Sequence, residues 1–121
     1  MNRTDRETLG MTESSNRFIH RLQQEGVFKE MRDAYRLGIA LALRRDLEPA
    51  PENISTSTVW NVNTIDPDGL LRDIVVLLRP ESSQLPYRYI ERLAESGIAE
   101  LARLEQTGHL RYSDLYDAPS S

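Results

Sequence analysis

The stretch 28–45, FKEMRDAYRLGIALALRR, constrains the fold of this chain more than any other. It begins as an amphipathic pattern and ends almost wholly apolar before Arg44 and Arg45. A helix that is apolar on all sides has to be enclosed by other elements. The stretch therefore predicts the central helix of a small helical protein, with the later helices packed around it.

Length and composition indicate an ordinary globular domain. At 121 residues the chain has the size of one domain. It contains no apolar run of about 18 residues, so we expect no contact with a membrane. The first residues lack the apolar core of a signal peptide, and we expect a cytoplasmic protein. The absence of cysteine excludes disulfides, a thiolate nucleophile and zinc-thiolate sites.

The fold class predicted from periodicity and breaker residues is mostly α, a compact bundle of four or five helices with one short extended segment. We predict a flexible arm over 1–11, a single helical domain over 12–108 and a C-terminal tail over 109–121. The two prolines of EPAPEN at 48–53 cannot continue a helix and mark the clearest linker.

Local signals place the elements within this domain. Thr12 or Ser14 can cap a first helix that Gly26 ends. β-Branched residues over 54–63 predict an extended segment, for which no partner strand is evident. Asp66 predicts the start of a third helix. That helix is expected to bury Leu70, Leu71, Ile74, Val75, Leu77 and Leu78.

The last helical region begins at Pro86 and keeps helical spacing of its apolar residues to Leu104. Gly97 lies within it. The glycine either sits inside one long helix or marks a kink between two short ones, and the sequence leaves both open.

No constellation of residues indicates catalysis. The two histidines, His20 and His109, lie far apart, and His20 has no carboxylate at helical spacing to act with it. The run DPDG at 66–69 lacks the further acidic ligands of a calcium loop. Glycine-rich phosphate loops, GxSxG and HExxH are absent. We therefore predict a protein that is not an enzyme, with no catalytic residue, no metal ligand and no cofactor.

The net charge of −4 is unevenly distributed. Residues 1–45 carry nine basic and six acidic side chains, and residues 46–121 carry six basic and thirteen acidic ones. Several basic residues of the first half share helix faces at spacings of three, four and seven. These candidate nucleic-acid contacts are Arg17, Arg21, Lys29, Arg32 and Arg36. The alternative is a solvated helix face, because Glu30 and Asp33 interrupt it.

Aromatic side chains in the second half are candidate partner contacts, since exposed aromatic residues often anchor protein interfaces. They are Tyr87, Tyr89, Tyr112 and Tyr116. The alternative is that these rings complete a small core.

Five segments in order carry a resemblance that covers most of the chain. They are FKEMRDAYRLGIA at 28–40, Trp60, the pair at 65–66, the apolar run at 71–78 and YIERLAESGIAEL at 89–101. This order resembles small accessory proteins encoded beside bacterial DNA phosphorothioation (Dnd-type) and related antiphage defence operons. The resemblance implies a non-enzymatic accessory subunit that binds larger protein subunits of the same operon, with DNA contact within the complex left open. It supplies no catalytic residues.

A second, partial resemblance concerns the N-terminal half. The order of an arm, a helix near 13–25, a turn at Gly26 and a longer helix from Phe28 resembles ribbon-helix-helix DNA-binding proteins. It implies a DNA-binding regulator or antitoxin that forms a homodimer paired through residues 3–11. The residues after Arg45 extend beyond that minimal motif.

Overall fold

In the computed structural model, which describes residues 4–108, helices account for most of the chain. The elements in order are β1 (Thr8–Met11), α1 (Glu13–Gln24), α2 (Met31–Arg44), β2 (Ser57–Asn61), α3 (Val62–Ile65), α4 (Leu70–Leu78), a 3₁₀ turn (Pro80–Ser82) and α5 (Pro86–Gln106). Within the described residues this confirms a mostly α fold, and β2 is the short extended segment that the sequence predicted.

The longest helix, α5, is the centre of the fold. It is continuous through Gly97, and β1, α1, α2 and α4 all pack against it. The prediction that the stretch 28–45 is central and enclosed is wrong in this respect. Ala40 is exposed, and Leu41 and Leu43 are only half-buried. Because α5 presents the longer apolar face, α2 covers one side of it and keeps its own opposite side in solvent.

The helices α2 and α5 approach each other closely at two glycines. A Cβ atom added at Gly97 would lie 1.6 Å from the carbonyl oxygen of Gly38. A Cβ added at Gly38 would meet the Ile98 side chain at 3.0 Å. The two backbones are therefore in direct contact, which only residues without a side chain permit at this point.

The segment predicted as a flexible arm, 1–11, contributes a strand to the fold. β1 pairs antiparallel with β2, and Leu9 and Met11 are almost completely buried. The Asp5 carboxylate accepts hydrogen bonds of 2.9 and 3.0 Å from two backbone N–H groups in the first turn of α5. A strand of four residues that includes a glycine shows too little alternation of apolar and polar residues to be recognised in the sequence.

Capping interactions begin α1 and α4. The Thr12 hydroxyl accepts a hydrogen bond of 3.2 Å from the Ser15 backbone N–H, as a cap residue does. Gly69 precedes α4 with a φ of 75°, a left-handed conformation that glycine adopts readily. The buried carboxylate of Asp66 then accepts from the backbone N–H groups of Leu71 and Arg72 at 3.0 and 3.1 Å.

Candidate protein-docking surface

The predicted partner contacts Tyr87 and Tyr89 are engaged inside the protein. Tyr89 is 7% exposed, and its hydroxyl donates to Glu81 at 2.9 Å and accepts from Arg79 at 3.0 Å. The half-buried Tyr87 donates its hydroxyl to Asp66 at 2.8 Å. These contacts fasten the start of α5 to the segments before it. Tyr87 and Tyr89 thus contribute to the core of the protein, as in the alternative interpretation of the sequence.

Burial raises the pKa values of both phenols. For Tyr87, burial and then the hydrogen bond to Asp66 raise the pKa to about 12. For Tyr89, burial raises the pKa, and the hydrogen bond from Arg79 opposes that rise. Both side chains are therefore neutral hydrogen-bond donors at neutral pH.

Two of the predicted nucleic-acid contacts, Arg21 and Arg36, are held by other parts of the chain. Arg36 donates to the backbone carbonyls of Ile65 and Thr64 at 3.0 and 2.8 Å. It therefore supplies hydrogen-bond donors to two carbonyl groups at the end of α3. Arg21 donates to the carboxylates of Glu25 and Glu105, and these two partners raise its pKa. Both guanidinium groups therefore already have partners within the chain.

The other three predicted cations are exposed. Arg17 lies 3.7 Å from Glu13 across one turn of α1. Lys29 and Arg32 make no side-chain ion pair within residues 4–108. The structure thus leaves Arg17, Lys29 and Arg32 as the exposed part of the predicted basic face.

Potential metal ligands do not gather in the part of the chain that the structure describes. His20 is exposed on α1, and no three His, Asp or Glu side chains between residues 4 and 108 could hold a metal ion together. No helix in this range is long and apolar enough to cross a membrane. His109, Tyr112 and Tyr116 lie outside the described residues.

Sequence reasoning missed two buried carboxylates on α5, Glu91 and Glu95, which are 1% and 6% exposed. Glu91 accepts from the Gly10 backbone N–H at 2.9 Å. Glu95 accepts from the Thr12 backbone N–H at 3.0 Å, and from the hydroxyls of Thr12 and Ser15 at 2.8 Å each. These hydrogen bonds hold β1 and the start of α1 against α5. The signal available in the sequence was the four-residue spacing of Glu91 and Glu95, which places both on the side of α5 that also carries apolar residues.

The sequence also predicted burial for apolar residues of α4 that the structure leaves in solvent. Of the six residues expected inside, only Val75 is fully buried, and Leu71 is half-buried. The other four form what we call the α4 stripe. It consists of Leu70, Ile74, Leu77 and Leu78, which are 57%, 40%, 79% and 56% exposed. The prediction is wrong here because α4 carries apolar residues on more sides than α5 can cover.

The α4 stripe has the geometry of a helix-packing surface. Leu70, Ile74 and Leu77 are separated by four and then three residues, so they lie along one line of the helix. This spacing is that of the seam between two packed helices. The nine residues of α4 extend for about 13.5 Å, so the stripe matches two to three turns of a partner helix.

The charges around the α4 stripe are predominantly acidic. Residues 67–81 contain three acidic and two basic side chains, and the preceding carboxylate, that of Asp66, is buried. Arg72 is paired with Asp73 at 3.2 Å, and Arg79 with Asp46 at 3.1 Å. Asp68 is exposed directly before the helix. A partner that lies across the stripe therefore meets a negative rim.

Comparison with known proteins adds no assignment to this surface. No protein-family model matches the chain, no curated protein is significantly similar to it, and no solved structure matches it. The function is therefore argued from the residues and their arrangement.

Proposed function

We propose that this protein is a non-enzymatic accessory subunit that binds a larger protein through the α4 stripe. Single exposed apolar residues are normal on a protein surface, but four along one helix face form a patch typical of interaction sites. Their combined exposure equals about 2.3 whole side chains, so burying them in a partner would contribute roughly 3.5–7 kcal/mol. The exposed α4 stripe is the observation that carries the proposal.

The occupant that fits the α4 stripe is an amphipathic helix with basic flanks, supplied by the larger subunit. The four-and-three spacing favours a helix over a strand, because a helix repeats its own side chains at the same interval. The acidic rim favours Lys or Arg beside the apolar face of that helix. A second copy of this chain is less suitable at the same place, because it would bring two acidic rims together.

The setting that we propose is a bacterial antiphage defence or DNA-processing complex. Its support is the resemblance of the segments between 28 and 101 to accessory proteins of Dnd-type operons. The larger subunits of the same operon are the partners to test, and any DNA contact would be made within that complex. Arg17, Lys29 and Arg32 are the exposed cations available for such a contact.

A second candidate, a ribbon-helix-helix-like regulator or antitoxin, is favoured by the order β1, α1, α2. It requires two copies to pair through residues 3–11. One edge of β1 is occupied by β2 and the other by the Glu91 carboxylate and the Tyr35 hydroxyl, so that pairing would need β1 to leave both. A gel shift with operon DNA at low salt tests this candidate, and binding there would favour it over the first.

The main proposal is tested by co-expressing this chain with the product of each neighbouring gene and titrating the purified pairs. Leu77→Glu places a charge in the middle of the α4 stripe and is expected to weaken binding by at least about 30-fold, or about 2 kcal/mol. Ala40→Glu, at an exposed position of α2, is the matched control and is expected to bind like the wild type.

Both variants change exposed positions, so their melting temperatures should stay close to that of the wild type. Binding through the acidic rim should also weaken as salt is added. Equal affinity of Leu77→Glu and the wild type would contradict the proposal, as would the absence of binding to every neighbouring gene product.

A further inference from the structure

A cleft opens beside the buried side chain of Glu95, between α1, α5 and the segment 50–54. Its volume is about 600 Å³, which lies within the range of small-molecule binding sites. Its apolar walls are formed by Phe18, Pro51, Ile54 and Ile98. Ligand sites typically combine such walls with a small number of well-placed polar groups, and Glu95 is the only acidic side chain among the described residues that line this cleft.

The polar part of the cleft is a hydrogen-bonded group of three residues, Thr12, Ser15 and Glu95, and all three line it. Oε1 of Glu95 accepts from the Thr12 and Ser15 hydroxyls at 2.8 Å each. Oε2 accepts from the Thr12 backbone N–H at 3.0 Å. A carboxylate offers about four acceptor positions, so these three donors leave one, on Oε2.

The charge of Glu95 is not balanced by a neighbouring cation. Glu91, one turn earlier on α5, forms an ion pair with Arg88. Between residues 4 and 108 no cationic side chain pairs with Glu95, and its three donors are neutral. Arg103 lines the cleft, but it is exposed and pairs with Glu100. Because buried charges in proteins are usually paired, the cleft suits a ligand that brings the missing positive charge.

We propose that this cleft binds a small molecule that carries one protonated amine on an apolar body. The ammonium group donates to the remaining acceptor position of Glu95, and the apolar body packs between Phe18 and Ile54. A hydrogen bond between two charged groups is stronger than a neutral one, and more so away from water. One buried carboxylate matches one ammonium, which favours a monoamine over a polyamine. The cleft shares no residue with the α4 stripe, so the site does not depend on the function proposed above.

The test is an NMR titration of the ¹⁵N-labelled full chain with phenethylamine at pH 7, where this amine is protonated as a lysine side chain is. The comparison ligand is 2-phenylethanol, in which a hydroxyl replaces the ammonium group. We expect the backbone amide signals of Thr12, Ser15 and Ser96 to shift with saturation. The dissociation constant for the amine is expected to be on the order of 1 mM, as for other small fragments. The alcohol should bind at least about tenfold more weakly.

Three variants separate the charge of Glu95 from the shape of the cleft. Glu95→Gln removes the charge and keeps an acceptor oxygen, so it should bind the amine at least about tenfold more weakly and the alcohol like the wild type. Glu13→Gln removes an exposed carboxylate of α1 that lies outside the cleft, and this matched control should bind like the wild type. Ala102→Phe fills the cleft without changing Glu95 and should weaken the binding of both ligands.

The comparison of amine with alcohol in the wild type, together with Ala102→Phe, decides the question even if Glu95→Gln does not fold. Equal affinity of the wild type for the two ligands would overturn the proposal, as would the absence of saturable shifts at the cleft. Undiminished amine binding by Ala102→Phe or by a folded Glu95→Gln protein would do the same. Shifts at the cleft that appear when the free protein is concentrated would assign the cleft to a second copy and overturn the proposal as well.

Discussion

The substitution Gly97→Ala tests the glycine contact between α2 and α5 most directly. In an open helix this change would stabilise the protein by about 1 kcal/mol, because alanine has the higher helix propensity. Here the new Cβ would lie 1.6 Å from the Gly38 carbonyl oxygen and 2.3 Å from its carbon. Since ordinary contacts of this kind need about 3.5 Å, the two helices would have to separate by roughly 2 Å.

The opposing atoms belong to backbone, so no side-chain rotation can relieve the clash. Overpacking of a core typically costs about 1–3 kcal/mol, and a backbone clash belongs at the upper end of that range or beyond. After the gain in propensity is subtracted, we expect Gly97→Ala to lower the free energy of unfolding by at least about 2 kcal/mol.

Urea unfolding followed by circular dichroism at 222 nm measures this difference, and the melting temperature should fall by about 5–10 °C. Gly38→Ala is the graded comparison, because its Cβ would meet the Ile98 side chain at 3.0 Å and the nearest backbone atoms only at 3.3 Å. We expect a smaller loss for Gly38→Ala than for Gly97→Ala. A Gly97→Ala protein as stable as the wild type would refute the close approach of the two helices.

Two further predictions concern the buried carboxylates. Glu95→Ala removes the acceptor for the Thr12 N–H and for the hydroxyls of Thr12 and Ser15, so the free energy of unfolding should fall by about 2–4 kcal/mol in urea titrations. Glu95→Gln keeps one acceptor oxygen and should lose less. Asp66→Asn should lower the pKa of Tyr87 from about 12 toward its ordinary value, as read by ultraviolet absorption of the phenolate. Because folding raises that pKa, the stability linked to Tyr87 is present below about pH 10 and is lost as the pH rises toward 12, and an unchanged phenolate titration in Asp66→Asn would contradict this.

Local signals in the sequence placed several elements well. The periodic apolar residues after Pro86 predicted the last helix, and Thr12 with Gly26 marked the limits of the first. The β-branched segment over 54–63 contains β2. These features depend on neighbours within one or two turns of chain, so they can be recognised without knowing the rest of the fold.

The same local reasoning misjudged burial. The apolar residues of α4 look like core residues in sequence, yet Leu77 is 79% exposed while Val75 is completely buried. Conversely, Glu91 looks like a solvated helix residue and is 1% exposed. The sequence shows how apolar each side chain is, but it does not show which side of a helix packs against another element.

The sequence by itself determined that the chain is mostly helical, where the first and last helices begin and end, and that β2 is uncharged. Only the tertiary structure decided that α5 rather than α2 is central, that β1 is a strand, and which apolar residues remain outside. The physical reason is that periodicity and capping are properties of adjacent residues. Burial depends instead on contacts between distant segments, such as the one that joins Gly38 to Gly97.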